Sequence, residues 1–341
     1  MKKGVVIQIY PAGLSNRIKC LVSALYATKA YKRELLLYWP VNDECGASFE
    51  AMFENNLHQI TKEELLPYSK KPYDYYEHSS SLFTEPKTDV MIIDTSRFMI
   101  TEDEDSPIRA KFRPSLHHYT VDFEFGRTPV KVKNRMLPLL HTLKPRKKIR
   151  DAVRRFCDKH NIKDAVGVHV RRTDFLTLKS KAALVSPNAL FVKRMQELVA
   201  KDSKTKFFLA TDSKEVEKEF KNIFKNRIIT NGKTFFDRSK NGTIEGFIDQ
   251  LTLAKTKMIL VSYGSSFNEL AWWYGDCKPK VEVIIDKDAL HNTKNYDDSL
   301  ISRMKKIRNN IFFTFFSKKL FYSLMRKFGY NPPYFYHRYD L

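Results

Sequence analysis

The chain has 341 residues, 60 Lys and Arg against 39 Asp and Glu, and a formal net charge of +21. At roughly 100–200 residues per domain the length predicts two domains, and a hydrophobic content of 43% with 13% aromatics supplies their cores and excludes a wholly disordered chain. Only 11 Gly and 14 Pro exclude fibrous and low-complexity classes, and no run approaches the roughly 18 apolar residues that span a bilayer.

The opening MKKGVVIQIYPAGL places two lysines before an apolar stretch, as a signal peptide does. Gln8 interrupts that stretch, Pro11 ends it, and no small-x-small cleavage site follows, so residues 5–10 read as a first strand. A turn at Pro11-Ala12-Gly13 leads into a helical pattern over residues 15–32, with Ser15 as its N-cap and Ile18, Leu21, Val22, Leu25 and Tyr26 on one face. Residues 35–39 form a second strand, completing the strand–helix–strand unit of a parallel sheet, and 91–94 another. Residues 61–88 and 101–128 are polar, Pro-punctuated and read as long loops with short helices.

Pro145 and its charged neighbours mark a boundary near 143–145. Beyond it the rhythm is cleaner: a helix over 147–159, strands at 165–170, 207–210, 227–229, 258–262 and 281–285, and helices at 243–256 and 266–274. Ser186-Pro187 reads as an N-cap followed by Pro at the first helical position. This alternation predicts a second doubly wound unit. The tail from Arg303 belongs to neither unit: it holds nine Lys and Arg, one acid (Asp340) and twelve Phe and Tyr, and so carries +8 of the net charge.

Three segments carry chemistry. In Val166-Gly167-Val168-His169-Val170-Arg171-Arg172-Thr173-Asp174 a buried strand delivers one His and two Arg at its carboxyl end, where open α/β sheets bind ligands. Guanidinium forks match phosphate oxygens in two-point contact, so the cluster reads as an anion site, against the plainer reading of solvated charges paired to Asp174. Gly13-Leu14-Ser15-Asn16-Arg17 feeds a helix N-terminus whose free N–H groups and positive dipole end suit an anion, though an ordinary strand-to-helix turn explains it too. Ser262-Tyr263-Gly264-Ser265-Ser266-Phe267-Asn268-Glu269 repeats the arrangement, with Ser266 and Glu269 spaced as a capping box. No GxGxxG or Walker loop is present.

Together VHVRRTD, GLSNR upstream, and LATDS and YGSS downstream resemble the fucosyltransferase superfamily of α1,2-, α1,6- and protein O-fucosyltransferases, the α1,6 and nodulation type above all, over about residues 4–290. The resemblance implies an α/β fold of GT-B type, two Rossmann-like domains facing across a cleft, and metal-independent transfer of fucose from GDP-fucose with inversion. It implies that Arg171 holds the β-phosphate and stabilises the departing diphosphate with help from His169, charge stabilisation of the kind that lowers such barriers. It further implies that Asp249 reads guanine N1 and N2, that Ser265 contacts phosphate beside Ser266, that Arg172 belongs to the same anion site, and that Asn16 and Arg17 close over the diphosphate. Asp212 in Ala210-Thr211-Asp212-Ser213 shapes the pocket.

One departure stands out. The Lys and Glu that help activate the acceptor in the α1,6 enzymes are replaced by Phe175 and Lys179. That leaves Asp174 as candidate general base, with Asp43, Glu44 or Glu50 as alternatives facing the acceptor.

The expected organisation is an acceptor-side domain over 1–145, a GDP-sugar domain over 146–302, and a basic aromatic tail over 303–341. In the tail Phe312, Phe313, Phe316, Leu320, Leu324 and Phe328 fall on one side of a helix and Arg308, Lys318, Lys319 and Arg326 mostly opposite. This predicts an interfacial helix on anionic lipid or a helix packed on the N-terminal domain. The scattered His78, His117, His118 and His160 lack metal-ligand company, and Trp272-Trp273 reads as core rather than sugar platform. Cys20, Cys45, Cys157 and Cys277 show no pairing pattern, which suits a reducing compartment.

The sequence thus predicts a fucosyltransferase acting on a hydroxyl of a surface glycan or glycolipid, at the cytoplasmic membrane face. Its partners are a GDP-sugar donor, a glycan acceptor that can be lipid-linked, and an anionic membrane surface. A same-fold enzyme using another GDP-sugar or a protein acceptor is the alternative. A polyanion-binding protein ranks last, because no nucleic-acid module accompanies the charge.

Overall fold

The computed structural model describes residues 4–77, 82–96, 98–101, 128, 130–172 and 185–289. Asp174, Phe175, Lys179, His78, His117, His118 and the tail lie outside these. In the first half, β1 (Val5–Gln8), α1 (Leu14–Tyr31) and β2 (Glu34–Leu37) are followed by a short α2 (Phe49–Met52), α3 (Lys62–Ser69), β3 (Asp74–Glu77), β4 (Leu82–Phe83), β5 (Val90–Asp94) and β6 (Ile100–Thr101). One sheet runs in the order β2-β1-β5-β3, all parallel, and β4 and β6 form a separate parallel pair. β1 and β5, buried on both faces, are apolar up to their last residues, Gln8 and Asp94, as central parallel strands are.

Two helices lead into the second half, α4 (Val130–Thr142) and α5 (Lys147–His160). There β7 (Val166–Val170), α6 (Asn188–Lys201), β8 (Phe207–Thr211), α7 (Lys214–Phe224), β9 (Ile228–Ile229), α8 (Lys240–Leu253), β10 (Met258–Ser262), α9 (Ser266–Tyr274) and β11 (Lys280–Ile284) alternate. Their parallel sheet has the order β11-β10-β7-β8-β9.

Several local expectations change. β3 and β4 fall where loops are expected: Asp-Tyr-Tyr-Glu shows no apolar run because β3 is an edge strand, pinned where the Asp74 carboxylate accepts from the Lys87 and Thr88 amides. α4 escapes the sequence because Pro138 interrupts it, yet Val132, Met136, Leu139 and Leu140 are buried along one side. α6 starts at Asn188 with Pro187 as its N-cap, and the Ser186 hydroxyl instead accepts from the Tyr263 amide at 2.9 Å. α8 starts three residues early because Ser239 caps it, accepting from Gly242 N at 3.2 Å. At α1 the cap is Gly13, not Ser15.

The two halves share one core. Leu21, Val22, Trp39, Phe49 and Phe53 meet Phe247, Leu270 and Trp273, and Phe53 lies 5.6 Å from Phe247 between ring centres. Trp272 and Trp273 are core residues, 4% and 2% exposed. At Gly46 the halves touch backbone to backbone: its amide donates to Arg238 O at 2.9 Å, and a Cβ there would stand 2.5 Å from that carbonyl. A buried ion pair crosses the same junction, Lys19 Nζ on α1 to Glu269 Oε2 on α9 at 2.5 Å. The capping box expected of Glu269 with Ser266 is therefore not formed: Glu269 turns to Lys19, and the N-cap is Ser265.

Removing one member of a buried pair strands the other charge. Lys19→Met is expected to lower stability by about 3–5 kcal/mol in urea denaturation, and the double variant Lys19→Met/Glu269→Met to recover most of that loss.

Candidate active site

In the second sheet the chain runs from β7 outward through β8 to β9, then crosses back to β10 on the other side of β7. The strand order reverses between β7 and β10, and the crevice beyond their carboxyl ends is the place where such sheets bind ligands. His169 is the penultimate residue of β7, and Arg171 and Arg172 follow it. Ser262 at the end of β10 ties the two strands together, its hydroxyl accepting from Arg171 N at 3.2 Å and donating to His169 O at 3.3 Å.

After Ser262 the chain turns through Gly264, whose φ of +75° lies in the left-handed region, and enters α9. Ser265 caps that helix by position alone. Its hydroxyl makes no cap bond, is 1% exposed and has no hydrogen-bond partner. The first N–H groups of α9 and the positive end of its dipole join that hydroxyl, with Ser266 as the first helical residue.

The His169 ring stacks on Phe267, 4.4 Å between centres and 14° from parallel. It is 4% exposed, and its Nδ1 makes no hydrogen bond. Burial pushes its pKa down to about 3, with the Arg171 charge acting the same way and Asp212 opposing. The imidazole is neutral at physiological pH, so it offers the crevice a ring N–H and not a second cation. The Arg171 guanidinium is held below its ordinary value by burial, with Asp212, Arg238 and Glu44 as its charged surroundings.

Arg172 is a brace. Its Nε donates to Asn188 Oδ1 at 3.0 Å, its Nη2 to Ser186 O at 2.9 Å, and its backbone amide to Asp212 Oδ1 at 2.7 Å. Asp249 is 3% exposed on α8, where Asn231 Nδ2 donates to Oδ1 at 2.7 Å and Lys233 Nζ stands 3.5 Å from Oδ2. Burial raises its pKa to about 6 against the pull of Lys233 and Asn231. Lys233 also donates to Thr211 O at 3.0 Å, linking Asp249 to the end of β8 beside Asp212.

From the first half, the α1 N-terminus meets the α9 N-terminus around one amide: Gln250 Nε2 donates to Ser15 Oγ at 2.8 Å and to Phe267 O at 2.9 Å. Asn16, one residue on, has a buried Oδ1 with no hydrogen-bond partner. Arg17, expected over the diphosphate, lies inside the first half. It is wholly buried, donating to Pro11 O at 2.9 Å, Asn42 Oδ1 at 2.7 Å and the carbonyls of Ala12 and Pro40, with its guanidinium carbon 5.3 Å from the centre of the Trp39 ring. This arginine fastens the loop after β2, and that loop carries Glu44 to an ion pair with Arg238. Of Asp43, Glu44 and Glu50, Glu44 is the carboxylate whose charge reaches Arg171, whereas Glu50 accepts from Gln59.

The structure thus gathers His169, Arg171, Asp212, Asp249, Ser265 and Ser266 at one end of the second sheet, sets the first turn of α1 beside them, and withdraws Arg17 and Arg172 into bracing roles. Lys233, Gln250 and Asn268 are site neighbours that the sequence does not single out. Their only local signal is polarity, and Asn268 is bound to Ser262 O, 2.8 Å away, by the turn into α9. Among the described residues no group of three or more His, Cys, Asp or Glu is placed to hold a metal ion.

No family model and no curated protein sequence matches the chain. Solved structures do match. The NodZ α1,6-fucosyltransferase co-crystallised with GDP aligns over 80% of this chain and 92% of its own, with 15% identity and a TM-score of 0.51. The same enzyme soaked with GDP-fucose gives 16%, 0.50 and coverage of 80% and 93%. Selenomethionine fucosyltransferase NodZ from Bradyrhizobium gives 16%, 0.50, 80% and 92%. The chain has the GT-B fold of these fucosyltransferases. At such identity it is the backbone arrangement that is shared.

Asp249 binds its proton more tightly in the folded chain than in the unfolded one, because its folded pKa is raised. Its stabilising contribution is complete below about pH 4 and is lost as pH rises through about 6. Asp249→Asn is expected to flatten stability over that window in urea titrations at stepped pH. His169 is expected to show no imidazole titration between pH 5 and 8 by NMR.

Proposed function

We propose that this chain is an inverting glycosyltransferase that moves fucose from GDP-fucose to a hydroxyl of a glycan acceptor. One observation carries the reading: a buried Arg171 and the N-terminus of α9, with the unpartnered Ser265 hydroxyl, converge on the switch-point crevice of a fold shared with a structure soaked with GDP-fucose. Fixed donors already oriented toward a point where negative charge develops are the arrangement that stabilises a departing diphosphate.

In this reading the diphosphate lies across the α9 N-terminus, with its oxygens accepting from Arg171, the Ser265 hydroxyl and the first amides of the helix. The neutral His169 donates an N–H beside them. The Asp249 carboxylate accepts from guanine N1 and N2, exchanging Asn231 and Lys233 contacts for the base. The acceptor oxygen attacks the anomeric carbon from the face opposite GDP, the bond from that carbon to the β-phosphate oxygen breaks, and its electron pair leaves with GDP. The acceptor proton passes to a carboxylate, for which Asp174, three residues beyond Arg171, is the candidate. The acceptor approaches from the first half, past Asn16 and the Glu44–Arg238 pair, and a sugar of a surface polysaccharide or glycolipid is the proposed substrate.

GDP release measured across a panel of GDP-sugars tests the donor. Release is expected with GDP-fucose and to fall by about 10²–10³-fold in Arg171→Ala, the cost of losing one oriented donor to a developing oxyanion. Release from every sugar nucleotide except GDP-fucose would contradict the reading. Because protein groups supply the positive charge, EDTA is expected to leave the rate unchanged.

A further inference from the structure

The end of the second sheet opposite the crevice carries a repeated pattern. In a parallel sheet every strand begins at the same edge, and here four of the five begin after a basic-x-basic triplet: Lys204-Thr205-Lys206 before β8, Lys225-Asn226-Arg227 before β9, Lys255-Thr256-Lys257 before β10, and Lys278-Pro279-Lys280 into β11. Lys163 stands three residues before β7. In three triplets the middle residue, Thr205, Thr256 or Pro279, is buried and both lysines are exposed, because alternation along an extended chain turns every second side chain to solvent. The ladder keeps them side by side: Val166 N donates to Lys206 O, Lys257 N to Ala165 O and Lys280 N to Lys257 O.

Acids are outnumbered on this edge, where Asp158 stands in the adjoining groove and Asp276 pairs with Lys278. Asp164 accepts from Asn161, Asp202 from the Lys204 amide, and Asp276 from His141. The resulting positive field reaches His160, whose pKa is lowered by burial first and then by Lys159 and Lys206.

A groove of about 1110 Å³ opens beside this edge, between the end of α4, α5 and the end of α8. Lys163 and Lys255 line it together with Leu143, Val153, Leu251 and Tyr274. The Tyr274 hydroxyl is buried without a hydrogen-bond partner.

We propose that this lysine-studded edge, with its adjoining groove, is a docking face for an anionic phospholipid bilayer. Charge complementarity selects an anionic partner, and three features select lipid among anions. At the strand starts the exposed cations are lysines, point charges suited to a diffuse surface potential, whereas the one arginine there, Arg227, is tied to the Ser203 and Thr205 carbonyls, and the groove's Arg150 and Arg154 are paired with Glu54 and Asp151. Among the described residues no exposed aromatic side chain on this edge offers a platform for bases. The groove sets cations over apolar walls, as an amphiphile requires. No helix among the described residues is long and apolar enough to cross a membrane. Docked this way, the chain holds the crevice at the far ends of the strands, open to solvent.

The test is co-sedimentation of the full chain with phosphatidylcholine vesicles, with and without one-third phosphatidylserine, at about 0.15 M salt. Two charge-matched variants are compared: Lys206, Lys255, Lys257 and Lys280 all to Gln, and Lys305, Lys306, Lys318 and Lys319 all to Gln. Binding is expected only with phosphatidylserine and to fall at least tenfold in the edge variant, since each surface lysine contributes roughly fivefold. The tail variant is expected to lose less. Circular dichroism and GDP release from the edge variant, expected unchanged, separate lost docking from lost folding. Equal sedimentation of wild type and edge variant, loss confined to the tail variant, equal binding to neutral vesicles, or binding to random DNA but not to vesicles would each overturn the proposal.

Discussion

The buried contact between Lys19 and Glu269 governs how the two halves are joined. Both residues sit in the first two turns of helices that follow a central strand, α1 after β1 and α9 after β10, so pairing their side chains brings two helix N-termini to one place. Gln250 completes the arrangement by donating to Ser15 on one side and Phe267 on the other. A buried ion pair is a weak source of net stability, because desolvation offsets much of the attraction. Its directional demand is strong, and here it fixes which faces of the two halves meet. The shared aromatic core of Phe49, Phe53, Phe247 and Trp273 then supplies the apolar burial.

That joining makes the crevice electrostatically uneven. Arg171 is buried with its charge, and its neighbours Asp212, Glu44 and Arg238 come from three different stretches of chain. His169, two residues back along β7, is too deeply buried to take up a second ring proton. The same desolvation that neutralises the imidazole lifts Asp249 to about 6, so one physical cause sets the protonation of both. The crevice thus combines the buried Arg171, the positive end of the α9 dipole and uncharged donors with the acidic neighbours Asp212 and Glu44. The opposite end of the sheet separates charge differently, with lysines kept exposed by strand alternation.

Much of the fold was legible from local pattern. The buried parallel strands read as apolar runs, α1 by its period, and the strand–helix alternation of the second half by its rhythm. What escaped has physical causes: β3 is an edge strand without an apolar run, α4 contains Pro138, α6 is capped by Pro187 rather than Ser186, and Ser239 starts α8 before Thr243. At the site, His169, Arg171 and Ser265 were visible because a strand end and a strand-to-helix turn are local features. Lys233 was not, because its importance comes from bridging Thr211 and Asp249 across the loop after β9.

Sequence alone determined the alternating α/β plan, the crevice-forming strand ends, and the residue types available there. Tertiary structure alone decided what those residues do. Arg17 in the first turn of α1 and Arg171 directly after β7 are both arginines in a motif that follows a strand, yet one is surrounded by the carbonyls of its own turn and the loop after β2, while the other stands at the switch point with Asp212 as its acidic neighbour. Glu269 has the spacing of a capping residue but lies beside Lys19, 250 positions away in the chain. Spacing is a property of one segment, whereas desolvation and charge pairing depend on every segment packed around a group, and only the folded chain brings those segments together.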